Sequence, residues 1–367
     1  MAVTYGPRAL SNLVLAPGWD GAELDSFRTE DNIGYGQILS QATAAIGALN
    51  AELTMDSLWA GLVSFTDQPT VEYRQGSANG FEEHTEYGRP DSYRSETTGH
   101  MLPIKMYDRR LGWTWDYLRR ARAAQIEADI ADAIKDARDL WRVRILTRLL
   151  KRGDDTGKGW RLGDTGESPG FATAYGSTGV DFTPPAFGGT TFTSSHEHYV
   201  GISGGVYTAA VFSDAYDELR EHGHEPPFDF LIGPDDRATV EGLTGFVKTA
   251  DPLVNYGVAT AVATIPGEYI GSINYFRVRE VRGIPRYWGV GYKSYGILSQ
   301  RNPLRVRLEK GKTALQFSLV PDPLAGSPLH PVQNLMFYTE FGVGVYDRTA
   351  ATPRYVNNAT WADGTPT

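Results

Sequence analysis

The sequence predicts an α+β fold, and three observations predict it. The stretch Leu111–Gly153 runs for about 40 residues without an internal Gly or Pro, and its apolar residues recur every three or four positions. Short apolar runs bounded by turn residues, such as Phe228–Ile232, Ile273–Val281 and Leu335–Val345, read as strands. Gly 41, Pro 21 and 12% aromatic residues call for many turns and much sheet beside that one long helix.

Composition narrows the function. A chain of 367 residues can bury a large core and divide into two or three domains. With 41% apolar and 22% charged residues it is ordered rather than disordered. A net charge of −9 supplies no basic surface to displace the counterions of nucleic acid, although an acidic wall tolerates DNA nearby without gripping it. The absence of Cys excludes disulfides, thiolate metal sites and Cys nucleophiles. No apolar run approaches the ~18–20 residues of a membrane span, so no membrane partner is expected. The N-terminal MAVTYGPRAL lacks a signal peptide's apolar core, which implies a chain made and kept in the cytosol.

In chain order, residues 1–35 are broken by Gly6-Pro7, Pro17-Gly18, Gly21 and Gly34 and read as an extended arm. Its anchors Trp19, Leu24 and Phe27 must dock elsewhere, on a neighbouring subunit if the arm leaves its own. Gln37–Leu53 reads as a helix with Ile38, Ala42, Ala45, Ile46, Leu49 and Leu53 on one face. Val71–Gln75 and Phe81–Tyr87 flank an Asn79-Gly80 step and predict a β-hairpin. Most of its side chains are polar, and an isolated two-stranded ribbon is marginal, so it needs another subunit to lie on. A strand Met101–Tyr107 leads to the long helix, with Thr114 as its cap, Gly153 as its left-handed terminator and a length of roughly 55 Å.

Beyond the helix, Asp154–Ser194 reads as an irregular, Gly/Thr/Ser-rich excursion. Gly205–Glu221 is amphipathic, with Tyr207, Ala210, Val211, Ala215, Tyr216 and Leu219 inward and Gly223 as its stop. Pro234–Val247 opens with Pro and Asp235-Asp236 at a helix entrance. A single strand Ile273–Val281, a strand Tyr287–Tyr292 and a strand pair Leu304–Leu308 with Ala314–Leu319 follow, then Leu335–Val345 and a polar, turn-rich tail from Thr349.

Candidate chemistry is sparse. Gly201-Ile202-Ser203-Gly204-Gly205 fits the G-x-S-x-G nucleophile elbow, and a triad would need an acid such as Asp229 or Asp322 and a base such as His330. The repeated β-α units that such an elbow requires are missing, and a Gly-rich helix entrance explains the motif more simply. His196-Glu197-His198 and His222-Gly223-His224 could place ring nitrogens on one face for zinc, but the spacing is not that of a metalloprotease helix and no carboxylate has a defined role. Surface or subunit-contact histidines are the plainer reading. Gly153–Gly159 fails as a phosphate loop because its gap is short and Gly159 replaces Ser or Thr. No catalytic, metal or cofactor residue is therefore assigned, and no enzyme is expected.

The parts that lack partners within the chain carry a resemblance instead. A docking arm, a polar hairpin, a strand and a very long helix, with LPIKMYDRRLGWTWDYLRRA running into that helix, resemble the major capsid protein of tailed bacteriophages, the Hong Kong 97-like shell fold. HGHEPPFDFLIGPDD (His222–Asp236) is similar to that family's axial-domain segment, and FGVGVYDRTAATPRYV (Phe341–Val356) looks like its closing peripheral-domain strand and short tail. The resemblance implies an N-terminal arm and short helix over 1–60, an extended loop over 61–100 and a peripheral-domain strand and spine helix over 101–153. A mainly axial domain with inserted loops over 154–330 and a return to the peripheral domain with the tail over 331–367 complete it. It implies a self-assembling icosahedral shell of hexamers and pentamers enclosing double-stranded DNA without sequence-specific binding, with a portal and separate scaffolding or decoration proteins as partners. Assembly in the host cytoplasm, residence in the virion and no cofactor follow. Trp19, Phe27, Tyr73, Arg74, Phe81, Glu82, Glu83 and Arg89 are the inter-subunit contacts it proposes. An encapsulin-type cellular nanocompartment is the alternative, and a serine hydrolase using Ser203 the remaining one.

Overall fold

The computed structural model describes residues 28–75, 96–153, 155–158, 165–171, 183–193, 196–248, 268–321 and 332–367. Helices and sheets both contribute, as expected. The chain divides into two compact units, one of residues to Thr54, Met106–Trp141 and Ala314–Phe341, the other of Met55–Lys105, Arg142–Thr313 and Gly342–Thr367.

The first unit contains helix α1 (Tyr35–Met55, up to Thr54), whose Ile38, Ala42, Ile46, Leu49 and Leu53 are buried at helical spacing. Ala45, expected on that face, is exposed. The Asn50 carboxamide binds the backbone of Phe317 from both sides, at 2.8 and 3.0 Å, and so ties α1 to a strand more than 260 residues away.

The long helix begins later than its periodicity implies. Short helix α2 (Ser57–Ala60) belongs to the second unit, and Leu111–Thr114 lie on a strand, labelled β4 below (Lys105–Thr114). Thr114 does cap a helix, its hydroxyl accepting from Tyr117 N at 3.1 Å, but that helix, α3, is only Trp115–Arg120. Ala121 then turns extended (φ −80°, ψ 147°) before α4 runs over Ala123–Leu150, about 42 Å at 1.5 Å per residue. Ala121 and Arg122 are good helix formers, so nothing local demands the break. The cause is tertiary: the Asp31 carboxylate accepts from Ala123 N and Glu30 N donates to Ala121 O. At the other end Gly153 is not left-handed; Arg148 satisfies the carbonyls of Lys151 and Gly153 instead. Within the first unit α4 buries Ile126, Ile130, Ala133, Ala137 and Trp141. Arg138 and Glu52 join α4 to α1 through two bonds of 3.0 and 2.7 Å.

In the second unit β1 (Val63–Thr66) pairs in parallel with β13 (Leu304–Leu308), and β2 (Thr70–Gln75) pairs antiparallel with β3 (Glu96–Met101) from Thr70↔Met101 to Gln75↔Glu96. The described partner of the first hairpin arm is therefore Glu96–Met101; the expected arm Phe81–Tyr87 lies outside the described residues. A short ladder joins β5 (Asp155–Lys158) to β6 (Thr165–Ser168). The main sheet has seven strands, in the order β7 (Val200–Gly201), β16 (Ala351–Tyr355), β12 (Trp288–Tyr292), β8 (Phe228–Ile232), β11 (Phe276–Glu280), β10 (Glu268–Ile273) and β9 (Val247–Lys248). Central β8 is buried throughout because strands flank it and helix α5 (Ala209–Glu221) packs on it, with Val211, Phe212, Ala215 and Leu219 meeting Phe228, Phe230 and Phe276. Ala210, expected inward, is exposed.

Four expectations here are corrected. The single strand over 273–281 is a hairpin, β10 and β11, turned at Asn274 and Tyr275, both at positive φ (45° and 67°), as a type I′ turn needs. Pro234–Val247 holds only a 3₁₀ turn (Pro234–Asp236) and one short helix, α6 (Arg237–Glu241). The tail is not merely turn-rich, since β16 is fully buried between β12 and β7. Pro353 hides this in sequence; it is tolerated because β7 reaches only Arg354 and Tyr355. In the first unit β14 (Phe317–Pro321) pairs with β15 (Val332–Val345, of which residues to Phe341 lie in this unit), and not with β13 as expected. Phe317 stacks on Phe337 and Phe341 packs on Trp141.

Candidate functional site

The sequence-proposed contact residues fall mostly beyond view. Trp19, Phe27, Phe81, Glu82, Glu83 and Arg89 lie outside the described residues, and Tyr73 and Arg74 sit on β2 opposite Thr98 and Thr97. The structure brings no described pair of them into a site.

The elbow at Ser203 is not assembled as a hydrolase. Ser203 is exposed in a turn, Gly204 and Gly205 have φ of 132° and 72°, and α5 starts only at Ala209. Asp229 is committed to Arg277 and Arg279 at 2.6 and 3.3 Å, while Asp322 and His330 lie outside the described residues.

The histidine pairs, in contrast, converge. The run His196–Tyr199 enters β7 at the sheet edge, and α5 ends beside it. His198 Nε2 stands 2.8 Å and His196 Nε2 2.9 Å from His222 Nε2. Glu218, one helical turn before His222, brings Oε1 to 3.3 Å from His196 Nε2 and 3.5 Å from His198 Nε2. These four side chains offer one ligand atom each, all within 4.8 Å of one another. The His198 and His222 side chains are 0% and 1% exposed, so bulk water does not serve them.

A surrounding layer orients the rings. Ala351 O on β16 accepts from His198 Nδ1 at 2.8 Å, which leaves the Nε2 lone pair facing the centre. Phe192 stacks on His222 with centroids 4.3 Å apart and packs against His196. Arg354 Nη2 approaches Glu218 Oε2 at 3.5 Å, and Glu221 Oε1 lies 3.3 Å from His196 Nε2. Glu197, between His196 and His198, turns to Arg152. His224 is separate, its ring nitrogens bonded to Tyr295 and Thr349.

Burial dominates the electrostatics. It pushes His222 down to about 3, with His196 and His224 adding to the effect. It holds His198 well below the ordinary histidine value, with His222 next in weight, and lowers His196. It raises the Glu218 carboxyl to about 7, against the pull of Arg354. Three neutral imidazoles and one carboxyl thus face a common centre. Sequence reasoning saw the histidines but paired His222 with His224. The informative signal was Glu218-x-x-x-His222, an i, i+4 pair on a helix, set against H-x-H at a strand entrance.

No protein-family model matches this chain, and no curated protein does either. Among solved structures, one from Mycobacterium phage Patience aligns with a TM-score of 0.65 at 20% identity, covering 95% of this chain and 97% of that one. The chain therefore shares the fold of that phage structure. Lower similarity extends to the mature capsid of bacteriophage PhiM1 (TM-score 0.49, 14% identity, 83% of this chain and 88% of that one). The capsid of a native GTA particle stands at 0.47, with 14% identity over 82% of this chain and 89% of that one. Among the described residues no helix is long and apolar enough to cross a membrane.

Proposed function

We propose that this chain is the major capsid protein of a tailed bacteriophage, with the Hong Kong 97-like arrangement of arm, extended loop, spine helix, peripheral domain and axial domain. The observation that carries the reading is the end-to-end likeness to the Mycobacterium phage Patience structure, 95% of one chain on 97% of the other. Many copies form a closed icosahedral shell of hexamers and pentamers around double-stranded DNA, with a portal and separate scaffolding or decoration proteins as partners. A net charge of −9 suits a wall that DNA packs against without adhering.

In this reading α4 is the spine and α5 with the seven-stranded sheet forms the body of the axial domain. The β2–β3 ribbon is the base of the extended loop that lies on an adjacent subunit, where Tyr73, Arg74, Phe81, Glu82, Glu83 and Arg89 make contacts and Trp19 and Phe27 anchor the arm. Sharing of such parts makes stability depend on assembly and hence on concentration. Electron microscopy and light scattering of the purified chain test this directly. Uniform closed shells are the expected result; a monomer that persists under all assembly conditions overturns it.

A further inference from the structure

We propose that His196, His198, His222 and Glu218 form a binding site for one divalent transition-metal ion of the zinc class. The site would pin the end of α5 to the strand segment that enters β7. It goes beyond the shell reading and stands whether or not the chain builds shells.

The first argument is proton counting. Two Nε2···Nε2 contacts, 2.8 and 2.9 Å, share the single Nε2 of His222. His198 gives its one proton to Ala351 O through Nδ1, so its Nε2 is a bare lone pair. If His222 Nε2 carries a proton, that proton points at one neighbour and the other contact has no straight hydrogen bond. If it carries none, it accepts from His196 and stands lone pair to lone pair against His198. With neutral rings at least one close contact lacks its proton, and burial opposes a charged ring. A cation at the centre removes the conflict, because every lone pair then points at it.

The second argument is the carboxylate. Glu218 Oε1 is buried and has no hydrogen-bond partner, yet it is aimed at the same point. An unpartnered buried carboxyl oxygen is costly, and a cation satisfies it.

Geometry supplies the third. Four ligands at about 2.0–2.1 Å around a tetrahedral zinc ion stand about 3.3 Å from one another. The Glu218 separations of 3.3 and 3.5 Å already match, the ring separations of 2.8 and 2.9 Å need to open by about half an ångström, and with all four ligand atoms within 4.8 Å of one another the widest pair needs to close by at most about 1.5 Å. Three imidazoles and one carboxylate suit zinc, cobalt or nickel, whereas magnesium and calcium prefer all-oxygen sets. Four protein ligands leave no open position, which marks a structural site rather than a catalytic one.

The test uses the full chain, stripped with chelator and titrated with Zn²⁺ and, as a spectroscopic probe, Co²⁺. One Co²⁺ per chain with the intense visible absorption of four-coordinate cobalt is expected, displaced by Zn²⁺. Saturating Zn²⁺ should raise the melting temperature by about 5 °C. Loss of orienting partners alone weakens metal sites 10–100-fold, so Glu218→Gln and His196→Gln, each removing a ligand, should weaken binding at least about 100-fold. Both positions retain partial exposure, and circular dichroism checks that the variants fold; should His196→Gln not fold, Glu218→Gln decides. Absence of the cobalt band in the parent chain overturns the proposal. So does parent-like Zn²⁺ affinity in the folded variants, which would mean adventitious surface binding only.

Discussion

Replacing Asn302 should destabilise the second unit more than its modest size suggests. Asn302 is wholly buried. Its Nδ2 donates to the carbonyls of Ala60, Val63 and Gly296 at 3.1, 3.0 and 2.9 Å, and its Oδ1 accepts from Tyr295 N at 3.0 Å. The amide thereby fastens the loop before β13 to the entry of β1. In Asn302→Ala, the carbonyl of Ala60 keeps Leu298 N and that of Gly296 keeps Ser299 N as donors. Tyr295 N is left without the acceptor that Asn302 supplies. Three to four lost bonds at about 1 kcal/mol each, partly offset by the retained partners, and one orphaned N–H at about 1–3 kcal/mol sum to about 4 kcal/mol. Asn302→Asp sharpens the test. It preserves shape but turns the donors into a carboxylate facing three carbonyl oxygens, so at neutral pH it should cost at least as much as the alanine. Urea unfolding, followed by tryptophan fluorescence with the slope fitted separately, measures both. A loss under about 1 kcal/mol in Asn302→Ala, or an Asp variant more stable than the Ala variant at pH 7, would refute the reasoning.

His100 should make the protein acid-labile. Burial, then Arg348 and Arg148, push its imidazole down to about 3, while the unfolded chain keeps the ordinary value near 6.5. Below that value the unfolded chain binds a proton that the fold refuses, so this stability is complete above pH ~6.5 and erodes as pH falls toward 3. Between pH 7.5 and 5 the loss is about 2 kcal/mol, and His100→Gln should reduce the drop by that amount; equal drops in both proteins would count against it. Gly289→Ala places a Cβ 2.6 Å from Phe230 Cε1 and 2.6 Å from the Tyr207 hydroxyl, both buried, and should cost about 1–3 kcal/mol; an unchanged melting temperature would contradict that packing. Because Gln75 and Glu96 are directly paired, residues 76–95 can be replaced by an Asn-Gly turn without disturbing β2 and β3. That variant should fold with parent-like circular dichroism yet fail to form shells, and normal assembly would show that the loop is not the strap between subunits.

Local physics made a good part of this molecule legible. The periodicity of α1, the body of α4, α5 and the apolar run Phe228–Ile232 were readable because each element's burial follows its own residue spacing. Thr114 was readable as a cap because capping is a contact between near neighbours. The order of arm, ribbon, strand and long helix was enough to suggest a shell fold. What tertiary structure decided are contacts that close over long stretches of chain. The break at Ala121 is imposed by Asp31, and the pairing of β14 with β15 rather than β13 depends on a strand that comes later. The burial of β16 overrides the turn-like look of Thr352-Pro353-Arg354. The convergence of His196, His198 and His222 with Glu218 belongs to the same class. The residue types were visible in sequence, but whether ring nitrogens face one point or scatter over a surface is set by how a sheet edge meets a helix end, and no local spacing encodes that meeting.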